Sequence, residues 1–214
     1  VTAVRPTIKV GIIGPQGIPH WGSPAAPCGM WDAAQMARDE INVGGINING
    51  TLYDFQLVPG NEYAVTGPGG TPEPQKAHDE VVKMITQDGV KFLIGGFRTE
   101  CTGPMINASM DYNVPFFING ASTDWLISET VPKNYTRYKY LFRGNPVNST
   151  VLFKTVCGFL GGYLIPKVML PLYGAYLWPG APVKQVRVAV VTEQLEWTNV
   201  MHYLLTLPPG VDPR

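Results

Sequence analysis

Two short apolar runs with the same layout constrain the fold of this chain more than any other feature. Residues 90–96 and residues 114–120 each follow a helix-like segment, and each run ends in small polar residues. Apolar runs of this length without polar alternation are typical of strands covered on both faces, and helices between such strands make their pairing parallel. The sequence therefore predicts an α/β fold with a doubly wound parallel sheet. In such sheets the turns at the carboxyl ends of the strands form the ligand crevice.

The turns after the two runs carry hydroxyl groups that suit anion binding. The first turn covers residues 97–103 and the second covers residues 121–124. Their hydroxyl side chains are those of Thr99, Thr102, Ser122 and Thr123. Each turn leads into a predicted helix, whose first N–H groups lack partners within the helix and carry the positive end of its dipole. A single turn of this kind is better explained by helix capping, but two turns at neighbouring strand ends indicate a site for a carboxylate or a similar anion.

The segments before these runs follow the same alternation of strand and helix. Strands are predicted at residues 8–13 and 52–58, and helices at residues 28–41 and 75–87. The glycines after the first strand do not fit the Gly-x-Gly-x-x-Gly pattern of dinucleotide binding. A nucleotide-binding domain is therefore a weaker alternative, which tight NAD or FMN binding would support, and no cofactor is predicted.

Composition and residue spacing argue against other classes of function. The 16 Lys and Arg residues balance the 16 Asp and Glu residues, so the chain has no excess of positive charge for nucleic acid. The three histidines, His20, His78 and His202, have no catalytic partners at useful spacing, and the cysteines match no metal-binding pattern. We therefore predict neither an enzyme nor a nucleic-acid-binding protein.

The three cysteines, Cys28, Cys101 and Cys157, allow one disulfide. Cys28 and Cys101 follow the first and the third predicted strands, whose loops are neighbours in a doubly wound sheet, and we predict that these two cysteines pair. The alternative is that all three cysteines are buried as small apolar residues. A count of three thiols in the denatured, unreduced protein would support this alternative.

Several segments, in the right order along the chain, carry a family resemblance. They are residues 8–15, 21–22, 39–50, 87–90, 94–95, 113–115 and 142–143. Together they resemble the amino-terminal lobe of the type I periplasmic solute-binding proteins, whose best-known members bind leucine, isoleucine and valine for ABC transporters. The segment through Gly44, Gly45 and Gly50 is fairly specific, and the resemblance covers roughly residues 7–200.

The resemblance implies two α/β lobes that are joined by hinge strands and close on a small ligand. It places lobe 1 at residues 7–145 and the start of lobe 2 at residues 146–214. Because the chain stops before most of a second lobe could be built, we expect a piece of a longer protein with lobe 2 incomplete. Family members that bind amino acids hold the carboxylate with hydroxyl and backbone N–H groups of the two turns, beside one aromatic residue from the first loop and another from lobe 2. By similarity these positions fall on Trp21, Thr99, Ala121, Ser122, Thr123 and Trp197.

Arg98 is a further candidate ligand-binding residue, and two roles are open to it. It precedes Thr99 at a place where small polar residues are commoner in the family. Its guanidinium could hold a carboxylate in bidentate fashion, or it could pair with Glu100 at the surface. The family's acidic stretch after the second strand is also replaced here, by residues 59–65 and a loop rich in Gly and Pro. These departures bear on the identity of the ligand more than on the binding role.

Residues 157–181 form an unusually apolar segment with Lys167 as its only charge. The length of this segment would allow a membrane span. Pro166, Pro171 and Pro179, together with several glycines, argue against a continuous helix. We therefore predict a helix packed in lobe 2, followed by an ordered loop rich in aromatic residues.

The function that the resemblance implies is capture of a solute without chemistry. We expect the extracytoplasmic binding component of an ABC transporter, periplasmic or at the cell surface, with or without a membrane anchor. Its partners would be the transporter's permease and a small ligand, either an amino acid of branched-chain type or a related carboxylate. The alternative is the ligand-binding sensor domain of a membrane receptor, which sequence beyond Arg214 would distinguish.

Overall fold

The structure, a computed structural model, describes residues 4–15, 29–67, 70–145, 148–169, 191 and 196–206. One sheet is built from β1 (Thr7–Gly14), β2 (Ile46–Ile48), β3 (Thr51–Asn61), β4 (Phe92–Gly95), β5 (Phe116–Ile118) and β6 (Leu141–Arg143). The strands lie in the order β2-β3-β1-β4-β5-β6, and each neighbouring pair is parallel except the antiparallel pair β2 and β3. The predicted fold class, an α/β fold with a doubly wound parallel sheet, is confirmed.

Helices connect the parallel strands, as this topology requires. The connecting helices are α1 (Met30–Gly44), α2 (Pro74–Lys83), α3 (Thr99–Asp111), α4 (Trp125–Ser128), α5 (Thr130–Lys133) and α6 (Tyr135–Tyr138). Two further helices, α7 (Ser149–Phe159) and α8 (Glu196–Thr206), follow β6. Hydrogen bonding of the π type continues α2 over Met84–Asp88 and α7 over Leu160–Met169. Because α3 begins at Thr99, the turn after β4 is shorter than the predicted residues 97–103.

The structure has a hairpin of β2 and β3 where a single strand at residues 52–58 was predicted. Asn49 and Gly50, which connect the two strands, have φ angles of 50° and 86°. Two successive residues with positive φ are typical of the tight hairpin turn whose twist matches that of the flanking strands, and Asn-Gly is its commonest sequence. The sequence signal for this hairpin was therefore local and short.

The main core lies between the sheet and the helices α2 and α3. Its fully buried side chains include Leu93, Phe116 and Ile118 from the strands and Val81 and Met105 from the helices. Burial of a side chain of this size stabilises the folded state by about 1.5–3 kcal/mol. The core therefore fixes the positions of β4, β5 and α3, whose ends carry the predicted site.

The chain divides into two compact units. The first comprises Val1–Ala121 and Trp125–Pro146 and contains the sheet, whereas the second comprises Ser122–Asp124 and Val147–Arg214 and contains α7 and α8. Within the second unit, α7 packs against α8. The assignment of residues 7–145 and 146–214 to two lobes of a ligand-binding cleft stays a prediction.

The helix that begins with α7 is continuous from Ser149 to Met169 and passes through Pro166. For Pro166 the expectation of a break in the helix is wrong, because the wider turns of π type carry the helix past a residue that has no N–H. Pro171, Pro179 and the predicted loop rich in aromatic residues lie outside the described residues. By length and composition the helix could cross a membrane, and 6% of its apolar 18-residue window is buried. The same length and composition also occur in core helices of soluble proteins, so its predicted packing in lobe 2 stays a prediction.

Candidate functional site

The order of the strands creates a crevice at the carboxyl ends of β1 and β4. From β1 the chain continues to β3 on one side and then to β4 on the other, which makes this the switch point of the sheet. The N–H of Gly96 donates to the carbonyl of Ile13 at 3.3 Å. The N–H of Glu62 donates to the carbonyl of Gly14 at 3.1 Å. These bonds hold the turns after β3 and β4 against the end of β1.

The turns after β4 and β5 are joined through one carbonyl oxygen. The carbonyl of Gly96 accepts hydrogen bonds from the N–H of Gly120 at 3.1 Å and from the N–H of Ala121 at 2.8 Å. Glycine is required at this close approach, because a Cβ on Gly120 would lie 2.7 Å from the Gly96 oxygen. The N–H of Ala121 is thus used within the protein, and its carbonyl oxygen is the backbone group that Ala121 can offer to a ligand.

Glu62, which directly follows β3, places a carboxylate at the beginning of the turn between β4 and α3. The side chain is fully buried, and its two oxygens accept the N–H of Phe97 at 2.7 Å and the N–H of Arg98 at 2.9 Å. Burial raises the pKa of Glu62 to about 7, against the two N–H bonds and the positive charge of Arg98, while the charge of Glu100 adds to the rise. Buried acids that titrate near neutral pH are frequent at functional sites.

The guanidinium of Arg98 is directed to the loop that follows β3. Its Nη1 donates to the carbonyl of Ala64 at 3.1 Å, and the backbone N–H of the same residue is bound to Glu62. Arg98 therefore links the turn after β4 to the loop after β3 through both its backbone and its side chain. Its two expected roles, clamping a ligand carboxylate or pairing with Glu100, stay predictions.

Thr99 and Thr102 have different environments in α3. Thr99 is the first residue of the helix and is 2% exposed, at the end where N–H groups cannot find acceptors in their own helix. The hydroxyl of Thr102 donates to the carbonyl of Arg98 at 2.7 Å, and its side chain is fully buried. The expected anion-binding role of Thr102 is wrong because its hydroxyl bonds to the preceding turn of the chain. Thr99 remains the candidate hydroxyl donor of this turn.

The last residues of the second turn hold the start of α7. The carbonyl of Ser122 accepts the N–H of Ser149 at 2.8 Å. The Oδ2 of Asp124 accepts the hydroxyl of Ser149 at 2.9 Å, and it also accepts the N–H and the hydroxyl of Thr150 at 3.0 and 2.7 Å. Asp124 thus binds the first residues of α7, a helix distant in sequence whose N-cap is Asn148, so helix capping stays the open alternative to ligand binding for this turn. Ser122 and the buried Thr123 stay candidate ligand-binding residues.

The structure does not describe three of the predicted site residues fully, two aromatic residues and one cysteine. Trp21 and Cys28 lie outside the described residues. Trp197 is the second residue of α8, and its side chain is outside the description. Their predicted ligand contacts and disulfide therefore stay predictions.

Cys101, the predicted partner of Cys28, is fully buried in the structure. Its Sγ donates to the carbonyl of Tyr63 at 3.7 Å. Burial raises the pKa of the Cys101 thiol to about 12, and the charge of Glu62 adds to this rise. Such a thiol is a poor nucleophile, since the thiolate is the reactive form.

The groups of this site have the chemistry of anion binding. In the part of the chain that the structure describes, no three His, Cys, Asp or Glu side chains are grouped so that they could hold a metal ion. The turns offer hydroxyl groups, backbone N–H groups at a helix start and the charge of Arg98, which together suit an anion. Glu62 is the residue that sequence reasoning missed. The sequence shows only that an acidic residue directly follows the strand β3. The pairing of Asn61 with Gly14, at the end of β1, brings this acid to the turn after β4.

The fold is that of the type I periplasmic solute-binding proteins, of which the chain covers a part. One similar structure is that of LivJ, the branched-chain amino acid transporter substrate-binding protein from Streptococcus pneumoniae, in complex with isoleucine. It matches with 22% identity and a TM-score of 0.56, over 74% of this chain and 39% of that chain. The leucine-binding protein LivK from Thermotoga maritima matches with 17% identity and a TM-score of 0.52 over 71% and 36%.

A third structure, the leucine complex of an ABC transporter substrate-binding protein from Desulfitobacterium hafniense, matches with 15% identity and a TM-score of 0.54 over 73% of this chain and 39% of that chain. The chain therefore spans less than half the length of these similar proteins. No protein-family model matches the chain, and no curated protein matches it in sequence.

Proposed function

We propose that the chain is part of an extracytoplasmic substrate-binding protein of an ABC transporter, and that it captures a small solute that bears a carboxylate. The observation that carries this proposal is the junction of two turns at the switch edge of the sheet, where the Gly96 carbonyl accepts both Gly120 and Ala121. The junction brings the end of β5 to the start of α3, whose dipole and N–H groups favour an anion.

The proposed contacts follow the chemistry of each group. Thr99, Ser122 and Thr123 would donate hydroxyl or backbone N–H groups to the carboxylate of the solute. The carbonyl oxygen of Ala121 would accept a donor such as an ammonium group, because the Ala121 N–H is already used. Arg98 would contribute positive charge, and a bidentate contact would require its guanidinium to leave the Ala64 carbonyl.

An amino acid of branched-chain type is the first candidate for the solute. The similar structures from Streptococcus pneumoniae and Desulfitobacterium hafniense are complexes with isoleucine and with leucine. Trp21 and Trp197 would cover the apolar part of such a ligand. The charge balance of the chain, with 16 basic and 16 acidic residues, argues against nucleic acid as the ligand.

The proposed cycle is a closure of two lobes on the ligand. Contacts of the solute with residues 7–145 and with lobe 2, which begins at residue 146, would favour the closed state over the open state. A permease in the membrane would then recognise the closed form. This assignment places the protein in the periplasm or at the cell surface.

Thermal unfolding of the full-length protein against the amino acids, short amides, organic acids and nucleotides tests this proposal. A ligand at about a hundred times its dissociation constant should add about 2.7 kcal/mol of stability. Changing Thr99 or Thr123 to Ala should weaken binding about tenfold or more, since each change removes a hydrogen bond to a charged group. Ser109→Ala is the matched control, because its buried hydroxyl bonds to the Val114 carbonyl at 2.6 Å in the same helix, away from the turns.

The opposite result is equally clear. Stabilisation by a nucleotide, with no carboxylate of the panel active, would contradict solute capture and support the nucleotide-binding alternative. Equal loss of affinity in the Ser109 variant and in the two threonine variants would show that the turns have no specific role.

A further inference from the structure

Glu62 is a second carboxylate at the start of α3, beside the proposed anion site on which this inference rests. Its oxygens are bound to the N–H groups of Phe97 and Arg98, and Thr99 is the next residue of the chain. Consecutive Cα atoms are about 3.8 Å apart. A solute carboxylate held by Thr99 would therefore lie about 8 Å from the Glu62 carboxylate, an estimate from this spacing and one hydrogen bond at each end along a bent path.

Two carboxylates at one helix start compete for the same positive potential. A like charge nearby disfavours ionisation, as in paired acids that share a site. Burial has already raised the pKa of Glu62 to about 7, so that at neutral pH the protonated form is close in energy to the ionised form. A proton taken up by Glu62 would remove the repulsion at little cost.

Protonation of Glu62 also has an opposing effect on the turn. The neutral carboxyl keeps one good acceptor for the N–H groups of Phe97 and Arg98, and the other bond weakens. The repulsion between two unit charges about 8 Å apart, at an effective dielectric constant of about 20, is worth more than a factor of ten in affinity. Removal of this repulsion therefore changes the affinity for the solute more than the weakening of one hydrogen bond between Glu62 and the turn.

We propose that binding of a carboxylate at Thr99 is coupled to the uptake of one proton from water by Glu62, so that the solute is held more tightly at acidic than at alkaline pH. No covalent bond changes in this step. The proton moves from the solvent to a carboxylate oxygen of Glu62 when the solute binds, and it returns when the solute leaves.

Arg98, Glu100 and Cys101 face Glu62. An arginine guanidinium does not lose its proton in proteins, and burial raises the pKa of the Cys101 thiol to about 12. On α3, Glu100 adds a negative charge that favours protonation of Glu62.

The start of α2, which faces the neighbouring Tyr63, carries the exposed ion pair of Lys76 and Glu73. The hydrogen bond between Glu73 and Lys76 lowers the pKa of the first and raises that of the second, away from neutral pH. The ring of His78, on the same helix, lies 3.0 Å from Asp79, and this histidine supplies the control variant.

Isothermal titration of the full-length protein tests the proposal, with the carboxylate that gives the largest stabilisation in the panel as the probe. Between pH 5.5 and 8.5 the affinity of the natural protein should fall about tenfold or more. Titrations at pH 8 in two buffers with different ionisation enthalpies should show uptake of up to about one proton per bound solute. This wild-type measurement does not depend on how any variant folds.

Glu62→Gln gives the sharper result, because glutamine resembles the protonated acid. At pH 8.5 this variant should bind the probe about tenfold more tightly than the natural protein, and at pH 5.5 the two should be equal. A purely structural role for Glu62 predicts the reverse, since loss of an acceptor would weaken binding at every pH. His78→Gln should keep the natural pH profile.

Two distinct failures can be told apart. Binding of the probe with an affinity that is constant or rises with pH, and with no proton uptake at pH 8, would overturn the coupling and leave solute capture intact. If no carboxylate of the panel binds to the natural protein or to Glu62→Gln at any pH, the proposed function itself fails and the coupling fails with it.

Discussion

Replacing Gly95 with alanine is expected to destabilise the protein by more than about 4 kcal/mol, enough to abolish stable folding of the sheet. Gly95 ends β4 with φ of +144°, a conformation that side chains rarely adopt, and a Cβ there would lie 2.8 Å from the carbonyl carbon and 3.1 Å from the Cα of Ile13. These atoms belong to the neighbouring strand β1, so no side-chain rotation can relieve the overlap. Urea unfolding followed by circular dichroism measures the loss.

Gly50→Ala is the matched control for this change. Gly50 also has a positive φ, of +86°, but nothing lies within 4 Å of a Cβ at this position. The cost of the control should therefore be about 1–2 kcal/mol, the strain of the backbone conformation alone. Equal losses for the two alanine variants would contradict the close approach of β4 to β1 at the candidate site.

The stability of the natural protein should fall as the pH rises through the titration of Glu62. Burial raises the pKa of this carboxyl from its ordinary value of 4.5 to about 7. A carboxyl with a raised pKa in the folded state binds its proton more tightly there than in the unfolded chain, so its contribution is fully present below pH 4.5 and is lost as the pH rises through 7. The full difference corresponds to about 3 kcal/mol.

Urea unfolding of the natural protein and of Glu62→Gln at several values between pH 4.5 and 8.5 isolates this contribution. Other groups titrate equally in both proteins, so the difference in unfolding free energy between them should shift by up to about 3 kcal/mol in favour of the variant as the pH rises. A difference that stays constant, or that shifts towards the natural protein at high pH, would show that the buried carboxylate is not raised in pKa.

The sheet and the ends of its strands could be predicted because they depend on local patterns. Apolar runs at residues 8–13, 90–96 and 114–120 were sufficient to place β1, β4 and β5, and the polar residues after them marked the turns. The strand β2 was not predicted, because the hairpin that contains it is marked only by Asn49 and Gly50, two residues with positive φ. This signal is shorter than the window over which periodicity is read.

The contacts within the site could not be read in the same way because they join residues far apart in sequence. Glu62 reaches Phe97 and Arg98 because β3 and β4 flank β1, so that the residues after these two strands meet across the end of β1. The residues around Glu62 in the sequence do not indicate this strand order. The use of the Ala121 N–H by Gly96 likewise depends on the pairing of β4 with β5. Pro166 was misjudged for a different reason, since an individual proline does not reveal whether wider helical turns surround it.

The affinity difference between an amino acid and its amide tests capture of a carboxylate most directly. Isothermal titration of the full-length protein with L-leucine and with L-leucinamide changes only the group that the turns at Thr99 and Thr123 are proposed to hold. The account predicts that L-leucine binds at least about tenfold more tightly, because the charged hydrogen bonds of the carboxylate are lost in the amide. Binding of L-leucinamide as tight as that of L-leucine would contradict it.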